Sequence, residues 1–133
     1  MSADVAYLDT SAVVKLLVRE PETSALRRQL RDWPRRASAT LLRVELMRTV
    51  KRAGLAGLLG EARRHLRSIQ LIRLDDDLLD RAAELDPPML RALDAIHLAA
   101  ALTLGKDLAA MVTYDERLAA AGRALGLPIV TPR

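Results

Sequence analysis

The sequence predicts a single α/β domain over residues 1–133, with a central, mainly parallel sheet flanked by helices. Two observations carry this. Short apolar runs, read as strands, alternate with stretches of helical periodicity along the whole chain. A chain of 133 residues with half of them hydrophobic is long enough to close around one core. No repeat, low-complexity tract or long linker divides it. Such a sheet is covered on both faces.

The elements follow in order. Val5-Ala6-Tyr7-Leu8 reads as a short buried strand ended by Asp9. Helical spacing runs from Ala12 to Val18, and Pro21 suits the first turn of a second helix through Leu30. Trp33-Pro34 breaks that helix, and Arg36 to Ser38 can form a second strand. Ser38 or Thr40 can cap a third helix, which runs to Ala53 and stops at Gly54. Leu55 to Ser68 reads as a fourth helix, weakened by Gly57 and Gly60. Ile69 to Leu74 fits a strand, and Asp75 or Asp76 then caps a helix through Leu85. Pro87-Pro88 forces a break. Leu90 to Leu104 is a strong helix stopped by Gly105, and Ala110 to Thr113 is a strand. Asp115 to Leu125 is the last helix, stopped by Gly126. Leu127 to Val130 closes the sheet as an edge strand, where its Pro is tolerated.

Composition narrows the function. There is no cysteine, which excludes disulfides and thiolate metal sites and fits the cytoplasm. Met1 to Asp4 show no basic segment followed by an apolar run, so no signal peptide is expected. No stretch reaches the ~18 consecutive apolar residues that span a bilayer. Aromatic residues are few, Tyr7, Trp33 and Tyr114, so base stacking is almost closed to this chain as a way to hold nucleic acid. The net charge of +4 still favours a nucleic-acid partner.

Against that basic balance stand four acids in telling places. Asp9 directly follows a strand and Asp115 lies two residues past another. Both therefore belong to the sheet edge where α/β proteins build their sites. Each is also a good helix cap or turn residue, and Ser11 can cap the helix after Asp9. Glu45 lies beside the apolar stripe Leu42, Leu46, Val50 and Ala53 of its helix. Read alone, it is a boundary Glu paired with Arg48 or solvated. Asp94 sits in an almost wholly apolar helix, where a carboxylate needs a partner or a metal. His97, three residues on, shares its face and is the expected hydrogen-bond partner. Four carboxylates in one pocket would repel unless protonated or neutralised by a cation. Oxygen ligands favour Mg²⁺ or Mn²⁺, which would activate water against a phosphodiester without any His base or Cys. Thr113 can support the site. Lys15, Arg43, Arg48, Lys51 and Arg52, one to two turns from the acids, are the candidate RNA phosphate contacts, or else a solvated helix face.

This combination resembles the PIN-domain family, in particular its VapC-type toxins. The resemblance covers nearly the whole chain. It rests on Leu8-Asp9-Thr10-Ser11-Ala12 with Lys15-Leu16, on Arg43-Val44-Glu45, on Leu93-Asp94-Ala95-Ile96-His97-Leu98-Ala99 and on Val112-Thr113-Tyr114-Asp115-Glu116-Arg117-Leu118. The segment from Ala120-Ala121-Gly122 to Gly126-Leu127-Pro128 is similar too. The resemblance implies a Mg²⁺- or Mn²⁺-dependent endoribonuclease, with Asp9, Glu45, Asp94 and Asp115 as the acidic quartet and Asp9 and Asp94 as primary ligands. It also implies a homodimer and inhibition by a cognate VapB-type antitoxin, whose C-terminal segment docks in the toxin groove. Two other readings compete. One is an inactive PIN-like module that only binds RNA or protein. The other is an aspartyl-phosphate phosphotransferase, which Ser11 disfavours because a second Asp usually stands two residues after the first.

Overall fold

A computed structural model describes residues 3–133. The expectation of no signal peptide touches Met1 and Ser2, which lie outside the described residues. The elements are β1 (Val5–Leu8), α1 (Thr10–Leu17), α2 (Thr23–Leu30), β2 (Arg35–Ala39), α3 (Leu42–Arg52), α4 (Leu59–Ser68), β3 (Gln70–Ile72), α5 (Asp76–Glu84), α6 (Ala92–Thr103), β4 (Leu108–Val112), α7 (Glu116–Ala124) and β5 (Ile129–Val130).

The strands form one five-stranded sheet in the order β3-β2-β1-β4-β5, with every pairing parallel. From the central β1 the chain winds outward through β2 and β3, then returns to the other side of β1 for β4 and β5. The winding therefore reverses between β1 and β4. The carboxyl ends of those two strands open a crevice there, the usual ligand position in such sheets.

β1 shows how the two layers are built. Val5 and Tyr7 face a core with Leu98, Met111 and Leu118. Ala6 and Leu8 face the other core, with Leu26, Leu42 and Leu46. Successive strand residues point to opposite faces, so a strand covered by helices on both sides must be apolar throughout. All four β1 residues are buried.

Several boundaries differ from the sequence reading. Pro21 lies in a turn before α2 rather than in its first turn. The stretch expected as one fourth helix is a short 3₁₀ turn at Ala56–Leu58 followed by α4, consistent with the poor helix propensity of its glycines. Ser38 caps nothing: it lies in β2, buried, its hydroxyl without a partner among the described residues. α3 begins without any side-chain cap. Gly54 and Gly126 do close helices, and both take the positive φ that favours glycine there. Among the described residues, no helix is long and apolar enough to cross a membrane.

Candidate active site

Asp9 is the first residue past β1 and the N-cap of α1, its Oδ1 accepting the Ala12 N–H at 2.9 Å. Ser11, inside α1 rather than capping it, donates to the same oxygen at 2.7 Å. Thr113, just past β4, donates to Oδ2 at 2.6 Å. The two strand ends are thus tied through one carboxylate. Ser11 Oγ also accepts the Tyr114 N–H at 2.8 Å, and Thr113 Oγ1 accepts the Asp115 N–H at 3.0 Å. Asp115 caps α7, its Oδ1 accepting from the Arg117 and Leu118 amides. The cap roles and the site roles of Asp9 and Asp115 coexist, since a carboxylate has room for several partners.

Glu45 projects from the first turn of α3 and Asp94 from that of α6. Both reach the same place: Asp9, Glu45, Asp94 and Asp115 all line one cleft of about 360 Å³. Glu45 Oε1 accepts from Thr10 Oγ1 at 2.6 Å and lies 2.7 Å from His97 Nε2. The other ring nitrogen of His97 is 2.7 Å from the Tyr7 hydroxyl. The expected Asp94–His97 pair does not form. Asp94 instead takes the Arg91 Nε at 3.3 Å, and the same guanidinium lies 3.9 Å from Asp115 Oδ2.

Electrostatics separates the acids. Burial raises the pKa of Asp9 above the ordinary carboxylate value, in spite of the donors from Thr113, Ser11 and Ala12. Burial also opposes the charge on Glu45, but hydrogen bonds from His97 and Thr10 outweigh it and hold that pKa below the usual range.

The sequence matches the PIN domain over residues 6–124. The chain belongs to the PIN-domain family. It is 48% identical over 95% of its length to ribonuclease VapC46 and 43% identical to ribonuclease VapC47, both of Mycobacterium tuberculosis, covering 96% of each. Among solved structures, this PIN domain is similar to a toxin–antitoxin complex chain from Klebsiella pneumoniae, with a TM-score of 0.70 at 25% identity, over 96% of this chain and 98% of that one. It shares its fold with the Mycobacterium tuberculosis toxin VapC20, which cleaves the sarcin–ricin loop, with a TM-score of 0.75 at 16% identity, over 96% of this chain and 99% of that one.

The donor set of this PIN-domain cleft fits a hard divalent cation. Each acid keeps acceptor capacity on at least one oxygen. Glu45 Oε2 and Asp94 Oδ1 have no partner among the described residues, Asp9 Oδ2 has Thr113 alone, and Asp115 Oδ2 has only the distant Arg91. Among the described residues, no three such side chains already close around a point as ligands of one ion would. The Arg91 guanidinium supplies the positive charge between Asp94 and Asp115.

The expected phosphate contacts scatter. Lys15 pairs with Glu20 and Glu22 at 3.0 Å each, lies over the Tyr114 ring, and does not line the cleft. Its charge is spent on carboxylates five and seven residues away, a turn geometry that helical spacing alone does not reveal. Arg43 lines a separate groove with Arg63 and Arg67 of α4. Arg48, Lys51 and Arg52 are exposed along α3. Arg91, Thr10 and His97 line the cleft without having been assigned to it from sequence. Thr10 was signalled by its place beside Asp9, and His97 by being the polar ring in an apolar helix.

Proposed function

We propose that this protein, a VapC-type ribonuclease by its relatives, hydrolyses RNA phosphodiester bonds in the acidic cleft with one or more divalent cations, Mg²⁺ or Mn²⁺. The observation that carries the reading is the convergence of Asp9, Glu45, Asp94 and Asp115 from four separate elements on one cleft. Relatives at 41–48% identity are named ribonucleases, which supports the enzyme class. A divalent cation there would polarise the phosphate, lower the pKa of attacking water and steady the leaving oxygen.

The chain's own residues supply the rest. Asp9 and Asp94 would be the principal ligands, with Glu45 and Asp115 completing the set. Thr113 and Ser11 hold Asp9 still by donating to its two oxygens, so this one carboxylate is oriented before any ion arrives. Cation binding favours the ionised form of Asp9 and so reverses the effect of its burial. Arg91 lies between Asp94 and Asp115, where its guanidinium would meet two phosphate oxygens in bidentate fashion as RNA enters the cleft. Arg43, Arg48, Lys51 and Arg52 would hold the RNA backbone farther out. With almost no aromatic platform, that grip is on phosphate rather than on bases.

A VapB-type antitoxin is the proposed protein partner, supported by toxin–antitoxin complexes of similar fold from Klebsiella pneumoniae and Rickettsia felis. A second copy of the chain is the other. The exposure of Met89 and Leu93, at 89% and 48%, supports a covered apolar patch there.

The test is cleavage of an end-labelled RNA by purified protein. Cleavage is expected with Mg²⁺ or Mn²⁺, and should vanish with EDTA and in Asp94→Ala. Undiminished cutting by folded Asp94→Ala would refute the proposal.

A further inference from the structure

We propose that His97 is a positioning residue of the cleft: held as the Nε2–H tautomer by the Tyr7 hydroxyl, it pins one oxygen of Glu45 and leaves the other free for the cleft, which presupposes the metal-dependent reading of that site. The geometry fixes Nε2 as a donor, and for the neutral ring it fixes Nδ1 as an acceptor. Glu45 Oε1 lies 2.6 Å from Thr10 Oγ1 and 2.7 Å from His97 Nε2. An ionised carboxylate only accepts, so both neighbours must donate to it and Nε2 carries the hydrogen. In the neutral ring Nδ1 is then bare, and it accepts from the Tyr7 hydroxyl at 2.7 Å. The run of donors is Tyr7 to His97 to Glu45. It begins on the central strand, crosses α6 and ends on α3.

The alternative is a histidine that merely satisfies itself in a core. α6 is buried from His97 to Ala101, and every other residue of that stretch is Leu or Ala. Leucine would fill the place with no polar group to satisfy, whereas a buried imidazole needs partners for both nitrogens. Both partners here belong to one connected path, and the path ends at a cleft acid. Glu45 Oε2, by contrast, has no partner among the described residues. A carboxylate fixed through one oxygen has less rotational freedom to lose when the other takes an ion, as with the outer partners of metal ligands elsewhere.

Three measurements decide it. In a long-range ¹H–¹⁵N spectrum of the wild-type protein, His97 is expected to show a protonated Nε2 and a bare Nδ1; the opposite tautomer overturns the proposal. In calorimetric titration with Mn²⁺ alone, His97→Leu is expected to weaken binding about 10- to 100-fold. His97→Gln, whose amide N–H can still reach Glu45, should recover most of that loss. A folded His97→Leu that binds Mn²⁺ as tightly as wild type makes the ring a core residue only, and the proposal falls. Should His97→Leu not fold, Tyr7→Phe decides: it keeps the packing and removes the partner of Nδ1, so weaker Mn²⁺ binding is expected while Glu45 still holds the hydrogen on Nε2. An unchanged affinity in Tyr7→Phe overturns the relay. Wild-type protein that takes up no Mn²⁺ at all is a separate result, and overturns the metal-dependent reading itself.

Discussion

At the scale of single residues, Asp9 sets function against stability. Its pKa is raised by burial, so in the metal-free protein the folded state holds this proton more tightly than the unfolded chain does. Stability then falls as pH rises from the ordinary carboxylate value through the raised one. Asp9→Asn removes that cost and keeps acceptors for Ser11 and Ala12. It is expected to raise the melting temperature in EDTA at pH 7 by about 3–5 °C, of the order of 1 kcal/mol. Mg²⁺ should raise the melting temperature of the wild type and leave that of Asp9→Asn unmoved. Equal melting temperatures of the two in EDTA would mean that burial of Asp9 costs the fold nothing. Glu45 has the opposite sign: its lowered pKa makes a contribution present above the usual carboxylate value and lost as pH falls through the depressed one. Asp9, Asp94 and Asp115 stood out in the sequence by a strand end or an apolar setting, whereas Glu45 read alone as a boundary residue and joined them only through the family resemblance. The partners of the four acids were not legible there. Spacing of three residues suggested Asp94 for His97, but the ring turns to Glu45, 52 residues away, and no local pattern encodes that choice.

At the scale of elements, two helix caps can be compared directly. Asp75 caps α5 through the Leu78 N–H at 2.9 Å, and Asp115 caps α7 in the same manner. Losing either cap is expected to cost about 1 kcal/mol of stability. Only Asp115→Ala should also weaken Mn²⁺ binding and RNA cleavage, because Asp75 does not line the cleft. A loss of cleavage in Asp75→Ala as large as that in Asp115→Ala would mean that helix integrity, not the acid, is what the cleft needs from Asp115. Helix positions were readable from apolar spacing and glycine stops. Strand ends shifted by one or two residues, since pairing with neighbours, not the strand's own residues, decides where a ladder stops. β4 starts at Leu108, two residues before its expected start, because Val5 finds its partner there.

Over the whole molecule, charge is unevenly placed. Residues 19–73 hold most of the 21 Arg and Lys, and the remainder of the chain holds most of the 17 Asp and Glu. The groove between α3 and α4, with Arg43, Arg63 and Arg67 over Met47, Leu66 and Leu71, is the basic counterpart of the acidic cleft. Replacing these three arginines by Gln should weaken RNA binding by Asp9→Asn protein and lower the slope of log affinity against log salt by about 2. A slope that does not move would place the RNA elsewhere. The fold class and the parallel sheet were legible from alternating short apolar runs and helices. The strand order was not, because it depends on β4 choosing β1 over β3, a choice between partners far apart in sequence.

That strand order has a consequence during synthesis. Asp9 and Thr113, which clasp each other across the cleft, are 104 residues apart. Asp9 emerges from the ribosome first and waits for β4 to slot in beside β1. A truncated product ending before that strand would own three of the four acids yet lack the frame that gathers them. A nascent chain built this way cannot gather its four acids until β4 and the start of α7, in about the last fifth of the sequence, have been made.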